Sequence, residues 1–166
     1  MIIGKKRLIE SRTVSNGSTS ENFAGVFLLG YPVVTVEVNG LDESGANIAL
    51  RFLNTSGTIQ SASNYRGMYF RATNTNNAFY VQGTNGTTNR AYDFLWKGGN
   101  NATIVFYDCN ASDYSFAQAE DMYFNGQSTW MYQSNTSMGG FQLYNNSGGS
   151  FNNATAQINV YGMDIS

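Results

Sequence analysis

Few residues in this chain have the types and spacing that reactive chemistry needs. Histidine is absent, which excludes Ser-His-Asp and Cys-His nucleophiles and the common zinc ligand sets. The single cysteine, Cys109, follows Asp108 just past an apolar run and has no cationic neighbour in sequence to favour its thiolate. It reads as a small, semi-buried thiol. Asp42/Glu43 and Glu120/Asp121 are the carboxylate pairs from which sugar hydrolysis could be assembled. Neighbours on a strand point to opposite faces, however, and such pairs in turns face water. Asp108-Cys109-Asn110-Ala111-Ser112-Asp113 places oxygens at alternate positions, as a calcium loop begins. The sixth position should be Gly and is Asp113, and the twelfth should be Glu and is Ala119. The segment therefore reads as a turn held by Asx chemistry. Gly98-Gly99 and Gly148-Gly149 lack the Lys-Ser/Thr of a phosphate cradle. Trp96, Trp130 and Tyr132 could stack on a sugar ring, although aromatic residues in so apolar a setting more often fill a core or a subunit interface. The expectation is no catalytic residue, no metal and no cofactor.

Whatever the chain does, short strands must position it. Val33-Val34-Thr35-Val36-Glu37-Val38 alternates and runs into Asn39-Gly40; Ile48 to Leu53 runs into Asn54-Thr55-Ser56-Gly57; Thr103 to Tyr107 runs into Asp108-Cys109-Asn110. Apolar alternation over four to eight residues, closed by turn residues, is the signature of half-buried strands. Further strands are expected from Lys5 to Val14, at Tyr65–Arg71, Ala78–Gln82, Tyr92–Trp96, Tyr114–Ala119, Met122–Phe124, Trp130–Tyr132, Phe141–Tyr144 and Gln157–Tyr161. Phe23 to Leu29 is another apolar stretch, and Gly83 to Asn89 reads as a loop of Gly, Thr and Asn. Only Phe116 to Met122 could form a helical turn. The reading is one all-β domain, a jelly-roll-like antiparallel β-sandwich of about nine to eleven strands. Its expected core is Val34, Val36, Val38, Ile48, Leu50, Phe52, Met68, Phe70, Ile104, Phe106, Phe141, Leu143, Ile158 and Val160.

Composition narrows the function class. The 166 residues suffice for one domain with a sizeable core. Apolar residues make up 42% of the chain, with eleven Phe and eleven Tyr, while charged residues make up 12%, about half the usual share. Asn, Ser, Thr and Gly supply the polarity instead, and such a neutral surface tolerates close-packed copies. A net charge of −2 gives no basic stripe for nucleic acid, and no apolar run is long enough to span a membrane. Met1-Ile2-Ile3-Gly4-Lys5-Lys6-Arg7 reverses the order of a secretory signal, and a lone cysteine suits synthesis in a reducing cytoplasm. The Asn-x-Ser/Thr triplets at Asn16, Asn54, Asn85, Asn101, Asn110, Asn135, Asn145 and Asn153 are what so much Asn, Ser and Thr produces by chance.

One resemblance emerges near the C-terminus. Ser150-Phe151-Asn152-Asn153-Ala154-Thr155-Ala156-Gln157-Ile158-Asn159-Val160-Tyr161-Gly162 is similar to the closing strand of a small β domain in tailed-phage virion proteins. Leu8 to Val14, Val36-Glu37-Val38-Asn39-Gly40-Leu41 and Asn47 to Phe52 resemble further blocks of that family. The resemblance covers about a third of the chain. It implies a structural virion protein, made in the host bacterial cytoplasm: a knob-like capsid decoration or, as the alternative, a tail-fibre or receptor-binding module recognising host-surface glycan. The short stretch before the first strand favours the head decoration. The family brings no catalytic residues. Expected partners are the major capsid protein or another virion protein and copies of the chain itself, a trimer being the expected homo-oligomer, with neither nucleic acid nor membrane. An arm over residues 1–7, with Lys5, Lys6 and Arg7 beside apolar Met1-Ile2-Ile3, is the candidate contact, preceding a sandwich domain over 8–166. Trp96, Trp130 and Tyr132 are the candidate glycan-stacking residues of the alternative.

Overall fold

The computed structural model describes residues 5–41, 47–72, 79–95, 101–111, 114–121, 126–134, 136–151 and 155–164. Twelve strands follow in order: β1 (Lys5–Thr13), β2 (Ser20–Phe23), β3 (Val33–Asn39), β4 (Ile48–Asn54), β5 (Tyr65–Ala72), β6 (Phe79–Thr88), β7 (Ala91–Leu95), β8 (Asn101–Tyr107), β9 (Ser115–Asp121), β10 (Gly126–Tyr132), β11 (Met138–Asn145) and β12 (Gln157–Asp164). They form an eight-stranded sheet ordered β1-β12-β3-β8-β9-β10-β5-β6 and a four-stranded sheet ordered β2-β11-β4-β7, paired antiparallel throughout.

This strand order explains the architecture. β1-β12-β3-β8 and β2-β11-β4-β7 are the two four-stranded sheets of a jelly roll, in which successive strands cross between layers. Two hairpins are added to that frame. β5 and β6 lie in sequence between β4 and β7, and β9 and β10 lie between β8 and β11. The β9–β10 hairpin attaches beside β8 and the β5–β6 hairpin beside β10, which doubles the width of one sheet. The expected jelly-roll-like sandwich is therefore the fold found. Gly83–Thr88, expected as a loop, is the second half of β6, because β5 supplies its ladder partners. The possible helical turn at Phe116 is strand β9, paired on both sides. Val26 and Phe27 leave the strand pattern after Phe23 and are buried, whereas Leu28 and Leu29 are exposed. Trp96 and residues 42–46 and 122–125 lie outside the described residues.

The core between the sheets is largely aromatic. Phe106 of β8 stacks on Phe141 of β11 at 4.8 Å between centroids, and Phe141 stacks on Phe23 of β2 at the same distance. Phe27 fits against Phe106 at 5.0 Å. Offset and tilted rings at these distances add to the burial energy of each side chain. Tyr65, at the start of β5, is fully buried between Phe52 of β4 and Tyr132 of β10, at 6.1 and 4.6 Å. Its hydroxyl accepts the Phe52 backbone N–H at 2.7 Å and donates to the Gln60 carbonyl at 2.8 Å. A second polar tie, from Ser128 Oγ to the Phe94 carbonyl at 2.9 Å, joins β10 to β7 across the layers.

Two expected core residues are outside. Met68 is 52% and Phe70 36% exposed. The reason is Gly67. The Trp130 side chain lies over this glycine from the adjacent strand, so that a Cβ there would fall 2.5 Å from the indole and 2.3 Å from the Thr129 carbonyl. The inner face of β5 is thus Tyr65, Gly67 and Tyr69, and strand alternation turns Met68 and Phe70 outward. The other twelve expected core residues are buried. Among the described residues, Asn54 and Asn145 end strands as Asx turns rather than standing out as open acceptors. Asn54 Oδ1 accepts Ser56 N–H and Thr58 N–H at 3.0 and 2.8 Å, and Asn145 Oδ1 accepts Ser147 N–H at 3.0 Å.

Three outcomes follow for urea denaturation of the purified chain. Phe106→Ala removes a ring packed on both Phe27 and Phe141 and should cost about 3–5 kcal/mol. Tyr65→Phe keeps the ring but leaves the buried Phe52 N–H without its acceptor, and should cost about 1–3 kcal/mol; an unchanged midpoint would show that this bridge carries no stability. Gly67→Ala forces Trp130 to move and should destabilise by about 1–3 kcal/mol.

Candidate functional site

The ladder registers define the outer face of the eight-stranded sheet in rows. One row runs Lys6, Met163, Val33, Tyr107, Phe116, Met131 and Arg66 from β1 to β5; the next runs Leu8, Tyr161, Thr35, Val105, Gln118, Thr129 and Met68. Their strand neighbours, such as Val160, Val34, Phe106, Ala117 and Trp130, form the core. Leu8, Met68, Tyr107 and Phe116 are exposed, and Met163, Val33, Val105 and Met131 are partly so. A third row, with Glu37, Thr103, Glu120 and Gln127, is polar. The result is an apolar band across the sheet with cations at its ends and carboxylates along one side. Scattered apolar residues on a surface need no explanation, but a contiguous band of them marks an interaction face. At its β5 end, Arg66, Met68, Phe116 and Met131 of the band border an open depression of about 560 Å³.

Lys5, Lys6 and Arg7 begin β1, paired with Asp164, Met163 and Gly162 of β12. The expected boundary between an arm over 1–7 and a domain over 8–166 thus falls inside the sheet, since the ladder already starts at Lys5; residues 1–4 lie outside the described residues. Lys6 lies over the Tyr161 ring at 3.9 Å and pairs with Glu37, to which Tyr161 also donates its hydroxyl hydrogen at 3.1 Å. The Lys6 ammonium holds the Glu37 carboxyl below its ordinary pKa, against a smaller opposing effect of burial and with help from Tyr161. Lys5 and Arg7 are exposed.

Trp130 and Tyr132 do not form a stacking platform. Trp130 is 1% exposed, and Tyr132 packs on Tyr65 and Phe52 inside the sandwich. Both sit at inward positions of β10, so neither offers a ring face to a sugar. Trp96 lies outside the described residues. Cys109 is buried more deeply than expected, with its Sγ 3.4 Å from the Tyr107 carbonyl, and burial pushes its thiol pKa well up. Asp108 adopts a left-handed φ of 53° at the head of a turn closed by Ala111 N–H to the Asp108 carbonyl. Among the described residues, no three of His, Cys, Asp or Glu gather closely enough to hold a metal ion. The outward band was missed because Met68 and Phe116 carry the same apolar signal as core residues. The Gly67–Trp130 pairing is the one sign that could have set their direction.

Because Glu37 is more acidic folded than unfolded, its pairing stabilises above the ordinary glutamate pKa of about 4.3 and is lost as pH falls through its lower folded value. Both partners are more than a third exposed, which limits the pair to about 0–1 kcal/mol. Glu37→Gln should therefore reduce stability by at most that amount at pH 7, and the difference from the parent should vanish in acid unfolding series carried below the folded pKa.

No protein-family model matches the chain, and no curated protein matches it. Among solved structures, the enzymatically active domain of bacteriophage CBA120 tailspike protein 2 aligns over 96% of this chain and 24% of its own length, at 10% identity and a TM-score of 0.34. The full-length tailspike protein 2, from Escherichia coli O157:H7 bacteriophage CAB120, aligns over 96% and 21%, at 10% identity and a TM-score of 0.33. A functionally unknown protein from Saccharomyces cerevisiae aligns over 98% and 96%, at 9% identity and a TM-score of 0.27. The chain spans about a quarter or less of the tailspike chains. Similarity of this degree assigns no function.

Proposed function

We propose that this chain is a non-catalytic structural protein of a tailed-phage virion, a decoration of the capsid head that assembles through the outer face of its eight-stranded sheet. The observation that carries the reading is the apolar band through Leu8, Met68, Tyr107 and Phe116. The partner on this band is another copy of the same chain. Seven strands at the ordinary spacing span about 29 Å, and the two rows of the band together with the polar row beside them cover about 20 Å, so the whole face, rim included, is about 600 Å². Two such faces bury about 1,200 Å², enough for a specific interface. The band has the composition of an interface centre, aromatic and Met-rich, with charge confined to its margins. The virion assignment is supported by the resemblance of Ser150–Gly162 and the blocks upstream of it to phage β domains. The shell contact falls to the edge beyond the band, where Lys5 and Arg7 of β1 remain exposed while Lys6 is engaged by Glu37. The function asks for no reactive group, since adhesion needs only shape and surface.

Sedimentation equilibrium of the purified chain should give a homo-oligomer at micromolar concentration, with a dimer as the expected mass, because two like faces meet about a twofold axis, whereas the trimer expected from the sequence would need two different faces. Phe116→Glu together with Met68→Glu should leave circular dichroism unchanged and yield monomers. A monomeric parent chain would overturn the interface. Antibody labelling of assembled particles should mark heads; label confined to tails would overturn the decoration reading in favour of a fibre module.

A further inference from the structure

The opposite sheet carries a different kind of surface. On the outer side of β2, β11 and β4, a depression of about 420 Å³ is lined by Thr19, Ser20, Arg51, Gln142, Asn145 and Asn146, among others. Gln142 is 6% and Asn145 2% exposed. Gln142 Oε1, Asn145 Nδ2, Asn146 Oδ1 and Arg51 Nε are all buried and have no hydrogen-bond partner among the described residues. Asn145 cannot turn its amide to relieve this, because its Oδ1 already accepts from Ser147 N–H and Oγ at 3.0 and 2.8 Å. That double acceptance fixes Nδ2 as the atom left over. Arg51 is held in place by its guanidinium, which lies over the Tyr144 ring at 4.4 Å.

Native proteins rarely leave buried polar groups unpaired, and a cluster of them in one concavity calls for something that completes them. The mixture selects the chemistry. Arg51 Nε and Asn145 Nδ2 donate, whereas Gln142 Oε1 and Asn146 Oδ1 accept. In the amide orientations found here, an oxyanion would satisfy the two donors and be opposed by the two acceptors. A metal cation would satisfy the acceptors and be repelled by Arg51. A hydroxyl both donates and accepts, so a ligand bearing several hydroxyls on a rigid ring suits this mixture, once side chains around the depression shift enough to uncover atoms that are closed to water in this structure. The volume lies within the range of small-molecule sites.

We infer that this depression is a saccharide-binding site, with Arg51, Gln142, Asn145 and Asn146 as its hydrogen-bonding groups. It is distinct from Trp96, Trp130 and Tyr132 and requires no aromatic platform. The site does not depend on the virion reading, since it lies on the four-stranded sheet, away from the apolar band.

The test is titration of the isotope-labelled full chain, followed by two-dimensional amide spectra that include side-chain amides. Four arms are used: neutral monosaccharides, glucuronic acid, bacterial surface-polysaccharide fragments and inorganic phosphate. Each small ligand is taken to about 10 mM, enough to fill a site of millimolar affinity. The expected result is saturable movement of the Gln142 and Asn145 side-chain amides with at least one saccharide. Arg51→Met, which keeps a chain over Tyr144, and Gln142→Ala should each weaken that binding by tenfold or more, while Phe116→Glu on the other sheet should leave it unchanged. Binding of fragments but not free sugars identifies a surface glycan as the source, and the reverse identifies a free sugar; both support the site. Movement with phosphate alone, or with no saccharide at all, overturns it. A variant that unfolds is replaced by Asn146→Ala, whose side-chain amide is not needed by the Asn145 turn.

Discussion

The Tyr65 hydroxyl is the constraint on which the wide half of this molecule depends. A jelly roll closes its own hydrogen bonds, but here one sheet is doubled by two inserted hairpins, and the smaller sheet must still be matched to it. β7 is short, and its ladder with β4 reaches only from Ile48 to Leu50. The Phe52 N–H, two residues further on, would be an unsatisfied donor in the core. Tyr65 supplies the acceptor from the inserted β5 and passes its own proton to Gln60. Gln60 N–H in turn bonds the Phe52 carbonyl at 2.8 Å. One phenol thereby completes β4, anchors the segment leading into β5 and stacks between Phe52 and Tyr132. Burial raises its pKa well above the ordinary phenol value, which favours the neutral hydroxyl that acts as both donor and acceptor.

Doubling one sheet has a surface consequence. The four-stranded sheet is too narrow to cover its partner, yet the strands beyond β8 still need an apolar inner face, which Tyr65, Tyr69, Trp130 and Tyr132 supply. Their outer face repeats much of the same apolar character. The two outer surfaces of the sandwich therefore diverge. The broad one is a band of Met, Phe, Tyr and Leu between charges; the narrow one is polar, with Arg51 over Tyr144 and buried amides around it. A surface rich in amides and hydroxyls and poor in charge offers little repulsion to a neighbour, so the apolar band can be brought against another chain without a large electrostatic penalty.

At two positions a glycine lets an aromatic ring lie against a strand. Gly162 of β12 lies under the Tyr31 ring, and a Cβ there would come within 2.3 Å of it. Gly67 does the same for Trp130. Each allows an aromatic ring to lie flat on a strand, and each decides which neighbouring side chains face inward. The Tyr161-Gly162 pair near the end of β12 thus has a packing role: Tyr161 turns outward under Lys6 while Gly162 leaves room inside.

The sequence alone determined the all-β class, the strands around Val34–Val38, Ile48–Phe52, Ile104–Phe106 and Ile158–Val160, and the scarcity of reactive groups. Those are local properties, written in alternation, turn residues and composition. The sandwich itself was legible because strands of that length bury one face only by stacking. Only the tertiary structure decided the direction of Met68, Phe70 and Phe116, since alternation gives two faces but not which one is inside when both are apolar. That choice was made by Trp130 lying over Gly67, a contact between paired strands that four other strands separate in sequence. The polar depression was equally hidden. Gln142 and Asn145 look like ordinary surface amides in sequence. Their burial depends on β2, β11 and β4 being neighbours, and on Asn145 Oδ1 being already committed to Ser147. Pairings between distant segments created both surfaces, and no local pattern records them.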